Sequence, residues 1–500
     1  MLLIRKIIFS KSVRYFSMIR DLHQKLVNRE CTALELVERY FAALSEKEPS
    51  ILAFLTLMKD EAMAEARAVD EQIARGESID LLAGIPGALK DNMLVKGIRT
   101  TSASKILDNY IAPHDATVVE KLKAIHAPIL GKTNMDEFAL GSSTENSAYQ
   151  VTKNPVDITR VPGGTSGGSA AAVAAGQVVW ALGSDTGGSI RQPSAFCGVV
   201  GLKPTYGRVS RYGLMAAASS LDQIGPIATS VEDVAIVLSR IAGRDIHDAT
   251  SADSGHEKRY EDYLETDIRG KKIGVPKEYF AESLDPRIKD LSQAALNRFR
   301  SLGVEVVEIS LPHSAFALPC YYIIQPCELS SNMARYDGMR YGLSINDEKN
   351  STVGTSTLLE TYLDTRHHGF GPEVKRRIML GTYSLSSGYY DAYYLKAQKV
   401  RALLKQDFEK VFETVDFIFS PTAPEPAFKI GEKNTDPLKM YLGDIYTVTA
   451  NLTGVPALSF PIGTVDEEGK KLPIGGQLMG RWFDEENLLA VAHAFETKTK

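Results

Sequence analysis

Three short segments of this 500-residue chain contain side chains that could together carry out acyl transfer. Ser189 directly follows two glycines in segment 183–191, where the backbone can turn sharply because glycine tolerates positive φ. Thr165 lies in a second glycine-rich segment, 163–169, and Lys90 follows apolar residues farther upstream. A serine, a second hydroxyl and a lysine can transfer an acyl group without histidine, which is absent from these segments.

The three side chains have complementary chemical roles. Ser189 would be the nucleophile, and it needs a base to remove its proton. Lys90 can be that base only as a neutral amine. Because the reference pKa of lysine is about 10.4, a neutral form near pH 7 costs on the order of 4 kcal/mol of desolvation or hydrogen-bond bias. Thr165 could relay the proton between them. The backbone N–H groups that could hold the developing oxyanion belong to Thr186, Gly187, Gly188 and Ser189.

Alternative interpretations of these segments and their neighbours have less support. Taken alone, a serine after paired glycines is an ordinary turn and a lone lysine an ordinary surface residue. Segment 164–168 fits the nucleophile elbow G-x-S-x-G, but no strand precedes it and the late His493 lies in an apparent helix. Segment 131–133 resembles part of a phosphate loop, although His126 occupies the position of the first glycine. Segment 102–105 matches S-x-x-K without its companion motifs.

Composition excludes several classes of function. The net charge of −5 gives no overall basic field for nucleic acid. The four cysteines form no C-x-x-C pair and the nine histidines form no H-E-x-x-H motif, so neither a disulfide scaffold nor a metal site is predicted. The longest uncharged run, 161–184, begins with Gly, Ser, Thr and Pro. It therefore predicts a buried loop and a small-residue helix, with no membrane association.

Short apolar runs alternate with helical patterns between about residues 84 and 240, which predicts an α/β fold with a largely buried sheet. Thr32 and Glu35 form a capping-box pattern that starts a helix. The other predicted helices are 61–73, 169–179, 230–241 and 285–302. The predicted strands are 127–131, 178–184, 272–276, 304–309, 417–421, 457–461 and 475–480.

The chain is predicted to form one large domain, residues 21–500, with a mainly helical insertion around 315–405, because no linker divides it. Residues 244–270 are polar and are predicted to be a surface connection. Residues 1–20 would be an N-terminal extension that is basic and lacks acids. This composition resembles a transit peptide, whereas Met18 could instead be a second start. The cytoplasm is the favoured location and the mitochondrial matrix the alternative.

Lys90 and segments 163–169 and 183–191 together resemble the amidase signature family, whose mechanism uses a Ser–Ser–Lys triad. Thr165 stands where the middle hydroxyl of that family is normally a serine. Threonine keeps the hydroxyl and adds a methyl group that stiffens χ1. Further segments are similar to the glutamine-hydrolysing A subunits of glutamyl-tRNA(Gln)/aspartyl-tRNA(Asn) amidotransferases within the family. These segments are 131–138, 219–226, 376–381 and 386–393.

The resemblance implies an α/β amidase-signature fold, with a large mixed β-sheet flanked by helices on both faces. It implies that Ser189 attacks the side-chain amide of glutamine and that water hydrolyses the resulting ester. Ammonia would pass to a B subunit, which activates misacylated tRNA with ATP and magnesium, while a C subunit completes a heterotrimer. This chain itself would need no cofactor or metal. Arg377 would bind the carboxylate of glutamine and Asp444 its amino group.

Several alternatives stay open at the level of sequence. Without the resemblance, Arg377 is a helix-surface cation and Asp444 a charge at a helix N-terminus. A stand-alone amidase acting on other carboxamides would use the same triad, and a non-catalytic scaffold would use none of it. The presence of Lys90 and Ser189 argues against the scaffold. The tRNA could be specific for glutamine, asparagine or both, because the B subunit should carry the tRNA contacts.

Overall fold

The computed structural model describes residues 18–253, 258–280, 284–346, 357–433 and 436–498. The first half of the chain forms α1 (Met18–Val27), α2 (Ala33–Ile51), β1 (Phe54–Leu57), α3 (Lys59–Ala74), β2 (Gly87–Lys90), α4 (Thr117–Ala124), β3 (Ile129–Thr133), α5 (Gly167–Ala174), β4 (Trp180–Asp185), α6 (Arg191–Cys197), β5 (Val200–Lys203), β6 (Gln223–Ala228) and α7 (Val231–Ile241).

The second half forms β7 (Lys272–Pro276), α8 (Pro286–Ser301), β8 (Glu305–Ile309), α9 (Ala317–Met333), α10 (Leu358–Gly369), α11 (Pro372–Leu385), a π-helix (Asp391–Leu395), α12 (Lys396–Val411), β9 (Phe417–Pro421), α13 (Pro437–Leu442), α14 (Val448–Thr453), β10 (Ala457–Glu467), β11 (Lys470–Gly480) and α15 (Glu485–Thr497). Short 3₁₀ turns occur at 105–107, 137–139, 260–263, 277–280 and 314–316.

The strands form one mixed sheet in the order β1-β3-β2-β4-β6-β5-β10-β11-β9-β7-β8. Strand β2 is parallel to both β3 and β4, and β7 is parallel to both β8 and β9. The other pairings are antiparallel, including the long hairpin of β10 and β11. Helices flank the sheet on both faces, and the apolar residues between the layers form the core. The predicted α/β class is therefore confirmed.

Most predicted elements are present, with shifted ends. The helix predicted at 169–179 spans Gly167–Ala174, and the strand after it begins at Trp180. The strands predicted at 457–461 and 475–480 are parts of the longer β10 and β11. Strands β1, β2, β5 and β6 were not predicted. They have only four to six residues, and three contain glycine or proline, so they lack the alternation that indicates a strand.

The last three residues of the predicted N-terminal extension are part of a helix. Residues 18–20 belong to α1, because the carboxylate of Asp233 accepts the N–H groups of Met18 and Ile19 at 3.1 Å each. The side chain of Ile19 is buried in the main core. Residues 1–17 lie outside the described residues, so the transit-peptide and second-start hypotheses for that segment stay predictions.

The region predicted to be a helical insertion contains α9, α10, α11 and most of α12, and residues 347–356 within it lie outside the described residues. The chain then returns to the sheet at β9. Residues 244–270 are more than a surface connection, since Tyr260, Leu264 and Ile268 pack into the main core. The division into one domain with an insertion stays a prediction.

Candidate active site

Lys90 is the last residue of β2, a strand in the interior of the sheet between β3 and β4. Its side chain is fully buried. The Nζ atom lies 2.6 Å from Oγ1 of Thr165, 2.9 Å from Oγ of Ser166 and 2.9 Å from Oγ of Ser184. The end of one strand thus places the amine against the glycine-rich segment 163–169 and against β4.

Burial lowers the pKa of Lys90 to about 7, although the carboxylates of Asp136, Asp185 and Asp222 act in the opposite direction. Among the described residues, no carboxylate forms an ion pair with the Nζ atom of Lys90, which is surrounded by hydroxyl and carbonyl oxygens. A substantial fraction of Lys90 is therefore neutral near pH 7, as a general base requires.

The hydrogen bonds around Lys90 show which hydroxyl groups can give a proton to the amine. The Oγ of Ser166 donates to the carbonyl oxygen of Ser184 at 3.0 Å and accepts the N–H of Ser184 at 3.2 Å. Because a serine hydroxyl has one proton, that of Ser166 is committed, and Ser166 can only accept from Lys90. In its neutral form the amine donates two N–H bonds and keeps one lone pair. The hydroxyls of Thr165 and Ser184 can therefore give a proton to Lys90, and that of Thr165 is the nearer to the amine, so Thr165 stays the predicted relay.

The segment that contains Ser189 packs directly against the segment that contains Thr165. The N–H of Ser166 donates to the carbonyl of Ser189 at 3.1 Å, and the N–H of Gly164 donates to Oε1 of Gln192 at 2.7 Å. Gly164 has φ of +52° and no space for a Cβ, because Pro193 packs against it. These contacts place Thr165 and Ser189 on adjacent turns.

Ser189 lies just before α6 and keeps 7% of its surface exposed. Within the described residues, no group forms a hydrogen bond with its side-chain hydroxyl. The structure therefore brings Lys90 and Thr165 into direct contact and places Ser189 beside them. The proton transfer between Ser189 and Thr165 stays a prediction.

Asp185, at the end of β4, fixes the turn before Ser189. Its carboxylate accepts the N–H groups of Gly188 and Ile190 at 2.9 and 3.1 Å and is paired with the guanidinium of Arg191. Burial opposes ionisation, but the charge and hydrogen bonds of Arg191, together with Asn451, hold the pKa of Asp185 well below its usual range. The carboxylate is therefore a permanent acceptor that shapes the turn.

This contact changes the prediction for the oxyanion donors. The N–H of Gly188 is directed to Asp185 and is not available to a substrate in this structure. In the described part of the chain, no acceptor takes the N–H groups of Thr186, Gly187 or Ser189, so these three remain candidates. Gly188 contributes through its backbone, because it has φ of +130° and a Cβ there would collide with Thr447.

Arg377 and Asp444, named from resemblance, are joined in the structure by Tyr322. The guanidinium of Arg377 lies 5.1 Å from the ring centroid of Tyr322 and 5.0 Å from that of Tyr441. The hydroxyl of Tyr322 donates to Oδ2 of Asp444 at 2.7 Å, and the hydroxyl of Ser142 donates to Oδ1 at 2.9 Å. The guanidinium of Arg377 and the carboxylate of Asp444 therefore both contact Tyr322.

Both charged groups keep capacity for a ligand. Arg377 donates from Nε to Glu373 at 2.8 Å and from Nη1 to Gln325 at 2.9 Å, whereas no acceptor among the described residues takes its Nη2 group. Burial raises the pKa of Asp444 to about 6, while Tyr322, Ser142 and Arg377 act in the opposite direction. At pH 7 Asp444 is largely ionised and can bind an ammonium group.

Sequence reasoning missed Ser142, Asp185, Tyr322 and Tyr441. Ser142 lies in the polar run 141–144, which carries a weak signal of a functional loop. Tyr322 and Tyr441 lie on helices α9 and α13, where an aromatic residue is indistinguishable from a core residue by pattern. Asp185 was within the motif around Ser189, but its role became visible only through its contact with Arg191.

The motifs set aside on sequence grounds have structural roles. Pro162 and Gly163 precede segment 164–168 without forming a strand, and His493 in α15 lies 3.3 Å from Glu265. Lys132 is buried and donates to Asp91 and to the carbonyl of Met93. The described residues contain no cluster of three or more His, Cys, Asp or Glu side chains suited to a metal. Nor does any helix there have both the length and the apolar character of a membrane span.

Comparison with known proteins shows the family of this chain. The amidase family model matches residues 35–489, so the chain belongs to the amidase signature family. A curated relative, the A subunit of glutamyl-tRNA(Gln) amidotransferase from Microcystis aeruginosa, is 57% identical over 96% of this chain and 97% of its own length.

Solved structures from the same family share the whole fold. The crystal structure of the A subunit of glutamyl-tRNA(Gln) amidotransferase from Thermotoga maritima is 41% identical, with a TM-score of 0.78 over 98% of this chain and 96% of its own. A native peptide amidase from Stenotrophomonas maltophilia is 28% identical, with a TM-score of 0.80 over 97% of this chain and 98% of its own. The fold is thus common to relatives whose names describe different activities, and the substrate must be argued from the side chains of the site.

Proposed function

We propose that this chain is the glutamine-hydrolysing A subunit of a glutamyl-tRNA(Gln) amidotransferase. The observation that carries the chemistry is the buried Lys90 amine, 2.6 Å from the hydroxyl of Thr165 and beside the turn of Ser189. The substrate is argued from Arg377 and Asp444, which carry opposite charges and both contact Tyr322. Glutamine carries both an α-carboxylate and an α-ammonium group, so it matches this pair.

Acylation begins when the hydroxyl of Ser189 attacks the amide carbon of bound glutamine. The proton of Ser189 passes to Thr165 as Thr165 passes its own to Lys90, which becomes an ammonium. The N–H groups of Thr186, Gly187 and Ser189 stabilise the negative charge on the carbonyl oxygen. Collapse of this intermediate breaks the C–N bond, and the proton held on Lys90 returns through Thr165 to the leaving nitrogen. Ammonia and a glutamyl ester of Ser189 result.

Deacylation uses the same groups with water in place of Ser189. Lys90 accepts a proton from water through Thr165, the hydroxide attacks the ester carbon, and the proton returns to the oxygen of Ser189. Glutamate is released and the neutral amine is restored. Lys90 and Thr165 each accept a proton and later return it, as microscopic reversibility requires.

In this proposal, ammonia is consumed by a partner. We expect a B subunit that uses ATP and magnesium to activate Glu-tRNA(Gln), and a C subunit that stabilises the pair in a heterotrimer. No cofactor is expected in this chain. Conversion of Asp-tRNA(Asn) is an additional expectation, because tRNA contacts would belong to the B subunit. A stand-alone amidase is the second candidate, and the peptide amidase fold is compatible with it.

Co-expression with candidate B and C subunits tests the assignment. The purified complex should amidate Glu-tRNA(Gln) with glutamine as nitrogen donor, and Arg377→Ala should abolish glutamine use while leaving amidation with free ammonium chloride intact. Product with ammonium chloride but never with glutamine would contradict the assignment. Efficient hydrolysis of carboxamides that lack both charged groups would favour the stand-alone amidase.

A further inference from the structure

A buried carboxylate outside the catalytic contacts lies at the start of the helix that carries Arg377. Glu137, in the 3₁₀ turn 137–139, is 2% exposed. Its Oε2 accepts the N–H of Gly371 at 2.9 Å, and its Oε1 accepts the hydroxyl of Ser104. Gly371 is the N-cap of α11, and Arg377 lies within that helix.

No residue of α11 itself provides this cap. The N-cap Gly371 has no side chain, and Pro372, which follows it, has no N–H group. An external carboxyl group that accepts the Gly371 N–H therefore caps the start of α11 in place of a residue of the helix. The fit is tight, because a Cβ at Gly371 would collide with the Glu137 carboxylate.

The turn that carries Glu137 is itself fixed on both sides. Phe138, with φ of +50°, packs against Phe370 at a ring-centroid distance of 5.8 Å, directly before Gly371. On the other side, the Asp136 carboxylate accepts the N–H groups of Thr144 and Asn146 at 2.8 Å each. The same loop contains Ser142, which donates to Asp444. The turn thus connects the start of α11 to the loop that contacts Asp444.

From these contacts we infer that Glu137 is a positioning residue, which sets where Arg377 stands relative to Asp444 and thereby selects substrates that carry an α-carboxylate. The inference rests on the proposed function. This role also explains why a carboxyl group is kept at a buried position, where burial raises the pKa of Glu137 to about 7. Glu137 does not contact the substrate, so its effect must pass through Arg377.

The test compares glutamine with two truncated amides, each used as a substrate or as a competitive inhibitor. Glutaramate keeps the carboxylate and lacks the amino group, whereas 4-aminobutanamide keeps the amino group and lacks the carboxylate. Glu137→Ala should weaken the binding of glutamine and glutaramate by about tenfold or more, seen mainly as a higher KM or Ki, because misplacing a binding group costs this much. The same variant should leave the KM or Ki of 4-aminobutanamide unchanged. Glu137→Gln should restore the binding of glutamine, since the amide oxygen of the new side chain can still accept the Gly371 N–H.

The matched control is Glu496→Ala. Glu496 is also a buried carboxylate that accepts the N–H at the start of a helix, Val231 of α7, but it lies in α15, which carries none of the candidate site residues. It should not alter the preference among the three amides. If Glu137→Ala fails to fold, Ser104→Ala removes the other partner of the carboxylate and should give a smaller shift of the same pattern. Equal losses for all three amides, or none, would overturn the inference. A wild-type complex that cannot use glutamine would instead refute the proposed function.

Discussion

The Nζ atom of Lys90 lies 2.6 Å from the Oγ1 atom of Thr165, and both side chains are fully buried. In the proposed mechanism, this lysine and second hydroxyl take the place of the histidine–serine pair of many acyl-transfer enzymes. Lys90 can act as a base only if its amine gives up its proton, and burial lowers the pKa of Lys90 enough for this. The proposed mechanism thus gives a reason for a buried amine that costs the fold stability.

Removing the relay hydroxyl should stop acylation. Thr165→Val keeps the shape of the side chain but has no proton to exchange, so we expect the rate of glutamine hydrolysis to fall by about 100-fold or more. Thr165→Ser should stay near the wild-type rate. Ser166→Ala is the neighbouring control, because Ser166 only orients the amine, and its loss should be smaller than that of Thr165→Val. Steady-state glutaminase assays measure all three, and full activity in the valine variant would refute the relay.

Replacing the buried amine should change how stability depends on pH. The pKa of Lys90 is lowered from 10.5 to about 7 in the folded state. The unfolded chain therefore binds more protons than the folded protein between these values, and stability falls as pH falls towards 7. Relative to Lys90→Met, the wild type should gain about 2–3 kcal/mol in free energy of unfolding between pH 7 and pH 9. Denaturant unfolding at both pH values measures the difference.

An unchanged difference between the wild type and Lys90→Met across that pH range would mean that Lys90 is charged in the folded protein. Lys132→Met is the comparison for a buried amine that has an ion partner, because Lys132 is also fully buried but lies 3.3 Å from the carboxylate of Asp91. Its pKa is lowered by burial, while the charge and hydrogen bond of Asp91 act in the opposite direction. Removing Lys132 should also leave Asp91 without its ion partner and should therefore destabilise the protein.

The turn before Ser189 should not tolerate a side chain at Gly188. Gly188→Ala introduces both a left-handed alanine and a collision with Thr447. Gly388→Ala is the matched control, since Gly388 has φ of +88° and open space around it. Both variants should lose about 1–2 kcal/mol from backbone strain. Only Gly188→Ala should also lose hydrolysis, because the candidate oxyanion N–H groups move. Equal activity in the two variants would show that the turn is not part of the site.

The sequence predicted the triad because glycine-rich segments carry a local signal that survives without the fold. Lys90 could be chosen as the base because apolar neighbours suggested burial, but its contacts required the parallel pairing of β2 with β4. Strand β2 itself was missed, since four residues ending in lysine show no strand pattern. Tyr322 could not be found at all. It approaches Asp444 across 122 positions of sequence, and only the packing of α9 against the rest of the chain creates that contact.

The most direct test of the account is the pH dependence of single-turnover acylation, followed as the glutamyl ester on Ser189 by mass spectrometry of quenched samples. The account predicts that the rate rises with pH through an apparent pKa near 7, as Lys90 becomes neutral, and that Lys90→Met forms no ester at any pH. An acylation rate that does not change between pH 6 and pH 9, or an ester formed at the wild-type rate in Lys90→Met, would contradict it.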